Sequence, residues 1–187
     1  LVIGSPNENG DTGAAYVYTR ANSTWTQQAQ LTASDGASGD KFGTSVAVDG
    51  NRAAVGATGD EGSTGAVYSF TRSATTWSSH QKLTLASSAA GDNFGYSISI
   101  SGSRMVVGAY LRDVSRTSGG VTTTYTDEGS AYAYGIKDGN WRLETVVEPL
   151  RASDGYSGDL VGYAVAISGT LVFSCAPQLN GRIGGLP

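Results

Sequence analysis

Along TSVAVDG (residues 44–50) apolar positions alternate with small or polar ones, which places Val46 and Val48 on one face of an extended strand. YSISISG repeats the pattern with Ile98 and Ile100, and YAVAISG repeats it with Val165 and Ile167. Each run ends on a turn dipeptide: Asp49-Gly50, Ser101-Gly102 or Ser168-Gly169. Glycine accepts positive φ there without a Cβ penalty, so each dipeptide predicts a tight hairpin. The return strands are RAAVGA, RMVVGA and LVFSCA, and LVIGSP at residues 1–6 is a further copy. A third strand follows in GAAYVYTR, GAVYSFTR and GSAYAYG, with an aromatic at every second residue: Tyr16, Tyr68 and Tyr132, then Tyr18, Phe70 and Tyr134. A fourth carries Trp25, Trp77 or Trp141 and ends on Leu31, Leu83 or Leu150. No 3.6-residue period persists, so the pattern predicts essentially no helix.

These segments are copies of one unit. Phe42-Gly43 recurs as Phe94-Gly95, and Gly13, Trp25 and Leu31 recur as Gly65, Trp77 and Leu83, all at a step of 52 residues. In the next copy Gly65 maps to Gly129 and Trp77 to Trp141, a step of 64, so twelve residues are added within RDVSRTSGGVTTTYTDE. That polar, Thr-rich insertion reads as an enlarged surface loop. Phe94-Gly95 becomes Val161-Gly162. Four short antiparallel strands at a period of ~50 residues predict an all-β fold, a β-propeller of four-stranded blades. The chain holds about three and a half: a partial blade over 1–30, blades over 31–82 and 83–149, and a partial blade over 150–187. This is too few to close a seven-bladed ring, and the expectation is a segment of a longer propeller. The aromatics at fixed places in each unit are expected to pack between blades rather than to stack on a sugar.

Phe-Gly, an alternating strand pair, then Gly-Ala-Pro resembles the FG-GAP repeat of integrin α-subunit propellers and of many bacterial and algal surface proteins. The third element stands here as Gly4-Ser5-Pro6, Gly56-Ala57-Thr58, Gly108-Ala109-Tyr110 and Cys175-Ala176-Pro177. The resemblance implies an extracellular or cell-surface propeller acting in adhesion or ligand binding, with a protein or carbohydrate as partner. It also implies calcium, which integrin propellers hold in an acidic loop between the FG and GAP strands. Here that connection is only Asp49-Gly50 or its Ser-Gly equivalents, too poor in oxygens for the 6–8 ligands calcium takes.

Two other acidic sets recur. Asp35, Asp40, Asp92, Asp154 and Asp159 precede the FG strand, where a short carboxylate fixes a turn by accepting backbone N–H groups. Asn7, Glu8, Asn9 and Asp11, then Asp60 and Glu61, then Asp127 and Glu128 follow the GAP strand and are expected on one rim. Asn7, Glu8, Asp11, Asp60, Glu61, Asp127 and Glu128 form the candidate ligand-binding set. Asp11, Asp60 and Asp127 are the candidate calcium ligands, and a solvated acidic surface is the alternative.

Composition narrows the classes. With 12 Lys and Arg against 16 Asp and Glu, a net charge of −4 and no basic run, nucleic acid is a poor partner. No apolar run approaches the ~20 residues of a membrane span. Cys175 is the sole cysteine, so no internal disulfide forms, and its apolar run predicts a small buried hydrophobe. His80 is the sole histidine, and no triad, phosphate loop or metal cluster is evident, so the chain is not read as an enzyme. Asn22-Ser23-Thr24 is an N-glycosylation sequon. Two functions stay open: a non-catalytic binding module, or a structural block of a filament, surface layer or matrix in which copies join through blade edges.

Overall fold

In the computed structural model of the protein, residues 1–144 and 156–177 are described. Their strands form antiparallel sheets that follow the repeats. The first sheet contains β1 (Val2–Ser5), β2 (Ala14–Ala21) and β3 (Thr24–Leu31) in that order. The second contains β4 (Phe42–Asp49), β5 (Arg52–Ala57), β6 (Ala66–Ser73) and β7 (Thr76–Leu83). The third starts with β8 (Ser97–Ser101) and β9 (Arg104–Ala109). A two-stranded ribbon, β10 (Val114–Ser118) and β11 (Val121–Tyr125), intervenes before β12 (Ser130–Lys137) and β13 (Asn140–Leu143) complete that sheet. β14 (Ala164–Ser168) and β15 (Leu171–Cys175) form the fourth. The inserted residues, expected as a loop, thus pair as a hairpin, because their β-branched Val and Thr residues favour extended backbone.

Helix is almost absent, as the missing 3.6-residue period predicts. Two four-residue turns, α1 (Glu8–Asp11) and α2 (Asp60–Ser63), lie between the second and third strand of their units. They are not ordinary right-handed turns: Asn9, Gly10 and Asp11, and likewise Glu61, Gly62 and Ser63, have positive φ. The short hairpin turns fall one residue later than the sequence suggested. Asp49 pairs with Arg52 and Ser101 with Arg104, so Gly50-Asn51 and Gly102-Ser103 make the bends.

Neighbouring sheets bury their faces against each other: the first strands β4, β8 and β14 of successive units are neighbours, and β1, a second strand, lies against β4. Phe42 is fully buried between the first and second sheets with Val17, Leu31 and Val55, its ring edge-on to Tyr68 and Phe70 at 5.5 and 6.1 Å. Phe94 does the same between the second and third sheets, beside Tyr132 and Tyr134 at 5.8 and 6.3 Å. Val161, Phe's replacement at the next joint, is also buried, beside a smaller core of Val106, Ala131, Ala133 and Ile167. The aromatics therefore pack between sheets as expected, with one exception. Trp141 is buried and Trp77 donates its indole N–H to Gln28 of the preceding unit at 2.9 Å, but Trp25 is 49% exposed. Among the described residues no sheet precedes the first to cover Trp25.

The joint between units is a backbone-on-backbone contact. A Cβ on Gly4, Gly56 or Gly108 would overlap the carbonyl of Gly43, Gly95 or Gly162, the glycine of the next unit's Phe-Gly or Val-Gly pair. Only glycine leaves room for that approach. Ser45 and Ser97 add a hydroxyl to the same seated carbonyl, donating to Gly95 O at 2.5 Å and Gly162 O at 2.7 Å. A second tie runs from the start of the third strand: Phe42, Phe94 and Val161 donate their N–H to the carbonyls of Thr12, Thr64 and Glu128.

This joint makes a specific prediction about stability. Phe42→Ala should lose about 3–5 kcal/mol, the cost of truncating a fully buried aromatic. Gly56→Ala should lose about 3 kcal/mol or more, because its clash is with backbone. Gly50→Ala has open space around its Cβ and only its positive φ to strain, so about 1 kcal/mol is expected. Urea unfolding of the three variants checks the order, and a Gly56→Ala no worse than Gly50→Ala would contradict the seam.

A candidate ligand-binding rim

The strand order sends every long connection to one end of the sheets. Segments 32–41, 58–65, 84–96 and 110–129 join strands where β4 begins and β5 ends, whereas the two-residue turns of the inner and outer hairpins lie at the opposite end. The acidic residues singled out in the sequence sit on these connections, and the structure divides them into three kinds.

The first kind closes turns. Asp40, Asp92 and Asp159 are buried, and each accepts the backbone N–H three residues earlier, from Ala37, Ala89 and Tyr156 at 2.7, 2.8 and 2.7 Å. Burial raises the Asp92 carboxyl above its ordinary value, opposed by that N–H and by Arg112 nearby. Asp154 lies outside the described residues.

The second kind clamps the connections to the sheet of their own unit. Asp60, expected on an open rim, is buried: the Tyr68 hydroxyl donates to it at 2.6 Å and Lys82 pairs with it at 3.0 Å. Asp35, from the connection entering the same unit, takes the same two donors at 2.7 and 2.8 Å. The Lys82 ammonium also lies 5.3 Å from the centre of the Tyr68 ring. Burial, together with hydrogen bonds to two carboxylates, pushes the Tyr68 phenol far above its ordinary range. The first unit repeats the clamp with other residues: Tyr16 donates to Glu8 at 2.7 Å, and Gln30 stands where Lys82 stands. In the third unit Arg112 occupies the place of Asp60, reaching Ser87 at 3.1 Å and the Tyr132 ring at 5.7 Å. Glu128, another residue expected on the rim, is likewise fully buried and paired with Arg116 at the base of the β10–β11 ribbon. A carboxylate already paired to a cation inside the fold is not offered to a ligand.

The third kind is accessible. Asn7, Glu61 and Asp127 are exposed and Asp11 is partly so. The calcium candidates Asp11, Asp60 and Asp127 belong to three different units, and among the described residues no three Asp, Glu, His or Cys side chains converge as metal ligands. With Asp60 held by Lys82 and the inner hairpins too short, the residues present do not fit calcium.

Other features resolve simply. His80 is the extra residue of a β-bulge in β7, exposed and in contact with the Gly139 carbonyl at 2.9 Å, and Gln28 occupies the matching bulge in β3. Both reach the next unit, which explains why one position carries His in one copy and Gln in another. Asn22 is exposed at the tip of the β2–β3 hairpin, an accessible place for a glycan. Cys175, expected to be buried, is exposed, because among the described residues no further sheet covers β15. No helix among the described residues is long and apolar enough to cross a membrane.

Two measurements follow from the clamp. Lys82 and Tyr68 hold Asp35 below its ordinary value of 3.8, so its contribution to folding is present above 3.8 and is lost as pH falls through the lower folded value. Asp35→Asn should therefore flatten the acid limb of a stability–pH curve below about pH 4, leaving the alkaline side unchanged. An unaltered acid limb would show that Asp35 contributes nothing. Addition of millimolar calcium should leave the melting temperature where it was, since a ligand that binds only the folded state must raise it. A reproducible upward shift would reveal a site that these residues do not describe.

Comparison with known proteins agrees with the geometry. No curated protein matches the chain. The family model of the FG-GAP repeat matches residues 25–70 and 77–134, more than half of the chain. Repeats of this kind occur in extracellular, integrin-like proteins and are generally non-catalytic modules. The two matched stretches contain the buried Phe42 and Phe94 and both glycines of the Gly56–Gly95 seam, and the chain belongs to the FG-GAP repeat family.

Proposed function

We propose that the chain is part of an extracellular FG-GAP propeller that serves as a non-catalytic binding module for a glycan or protein, engaging it through the rim of long connections. The observation that carries this reading is the division of labour between the two ends. One end has only two-residue turns, whereas the other carries the long connections, the β10–β11 ribbon and the accessible acids Glu61 and Asp127. Loops supported by a rigid scaffold are where binding residues concentrate. Successive adjacency of β4, β8 and β14 supports the propeller arrangement, in which these would be the innermost strands. Calcium forms no part of the proposal.

A second reading, assembly of copies through open sheets, is favoured by one observation. Leu171 and Phe173 on β15 are 63% and 60% exposed, and Leu1 and Ile3 at the opposite end of the stack are 55% and 47% exposed. Apolar residues grouped on an uncovered sheet face mark contact surfaces.

The two readings separate experimentally. The chain, displayed on an array of extracellular-matrix proteins and glycans, should bind at least one in a dose-dependent way, and a Glu61→Lys/Asp127→Lys variant should lose that binding while keeping its melting temperature. Binding that survives both substitutions would place the ligand away from the rim. Concentration-dependent self-association in sedimentation velocity, abolished by Phe173→Lys, would support assembly instead.

A further inference from the structure

One cluster on the rim is not required by the fold. Tyr96, Tyr110 and Tyr163 meet with ring centroids 4.2, 5.3 and 5.6 Å apart. Tyr96 follows one Phe-Gly pair, Tyr110 follows a Gly-Ala pair, and Tyr163 follows the Val-Gly pair of the next unit. In the preceding unit the two matching positions are Thr44 and Thr58, whose hydroxyls lie 3.1 Å apart. Two threonines therefore close the same strand ends, and the three rings exceed what the joint needs. Tyr163 is 43% exposed, so the cluster presents aromatic surface to solvent.

The connection that leaves Tyr110 carries neutral hydroxyls and a carboxylate. Four residues beyond Tyr110 the β10–β11 ribbon begins, and Ser115 and Thr117 face their cross-strand partners Thr124 and Thr122 with hydroxyls 2.8 Å apart in each pair. All four are exposed. Asp127, just past β11 where the ribbon returns to its base, is close enough to Tyr110 to raise its phenol, after burial and the neighbouring Tyr163. The basic groups at the ribbon's base are engaged: Arg116 with Glu128 and the Tyr125 ring, Arg112 with Ser87 and the Tyr132 ring.

We propose that Tyr96, Tyr110 and Tyr163, with the hydroxyl face of the β10–β11 ribbon and Asp127, form a subsite for a neutral hexopyranose unit of a glycan. A pyranose has one face of C–H groups, which packs on an aromatic ring, and an equatorial belt of hydroxyls. Serine and threonine hydroxyls can both donate to and accept from that belt, and a carboxylate accepts from it. A few placed polar groups beside an apolar platform are the usual make-up of a small-ligand site. The proposal rests on the binding-module reading above and names its ligand class.

Affinity electrophoresis through gels containing laminarin or mannan, both neutral polysaccharides, tests it, with polylysine binding as the cationic comparison. The wild-type chain should be retarded by at least one of the two gels. Tyr163→Ala should weaken that retention about tenfold, near the upper end of one aromatic contact, and Tyr163→Trp should keep it. Thr122→Val/Thr124→Val should also weaken it, with melting temperatures unchanged in all three. Absence of retardation in both gels would overturn the subsite, as would polylysine binding that Tyr163→Ala abolishes, which would make the cluster a cation site. Retardation that Tyr163→Ala leaves intact and Glu61→Lys removes would also overturn it, while the rim-binding function would stand.

Discussion

Everything in this chain depends on how closely the backbone of one unit seats on the next. The carbonyls of Gly43, Gly95 and Gly162 rest against the Cα atoms of Gly4, Gly56 and Gly108, at a distance no side chain allows. A contact between two backbones fixes position and direction together, because neither partner has a rotamer to change. Sheets joined in this way keep a common phase, so the same end of every unit carries the long connections. Phe42 and Phe94 fill the space beside the seam, supplying hydrophobic free energy that the carbonyl contact itself does not. The seam sets the geometry, and the aromatic supplies the driving force.

Around this common joint the polar contacts vary freely. One unit uses Asp35, Asp60, Tyr68 and Lys82, another uses Glu8, Tyr16 and Gln30, and a third replaces Asp60 with Arg112 and Asp35 with Ser87. The tyrosine is the constant member, and its partners change sign. A buried carboxylate such as Asp60 needs a hydrogen-bonding partner but not one particular partner, so the identity of that partner is weakly constrained. Variation of that kind is tolerated only because the seam already holds the units in place.

The same distinction explains what could be read from the sequence. Strand alternation, the 52-residue step and the Phe-Gly and Gly-Ala marks all report the joint, and the sheets follow them closely. The acidic residues were harder, because a carboxylate's meaning depends on which chemistry faces it in the folded unit. Asp60 and Glu61 are adjacent in sequence, yet one is buried against Lys82 and the other lies in solvent. Nothing in the local pattern separates them, although the recurrence of Tyr68 eight residues after Asp60, like Tyr16 eight after Glu8, was a usable signal. The aligned insertion also misled: its far end, Asp127 and Glu128, sits next to Gly129, but Arg112 at its near end holds the structural place of Asp60. The tyrosine cluster was hidden because its members follow three different motifs in two successive units and meet only when those units stack.

The fourth unit departs from the joint at the two positions that define it. Counting fourteen residues from Val161, as from Phe42 to Gly56 and from Phe94 to Gly108, leads to Cys175 instead of glycine. Ala164 likewise stands where Ser45 and Ser97 donate to the seated carbonyl. A glycine carbonyl brought to Cys175 as at the other joints would meet a Cβ, and Ala164 would offer it no hydroxyl. The outward side of β14 and β15 instead presents Leu171 and Phe173 to solvent. Large apolar side chains pack by shape, which tolerates adjustments of angle that the glycine contact forbids. The backbone seam built on Gly4, Gly56 and Gly108 is therefore a property of three joints and not of every copy of the unit.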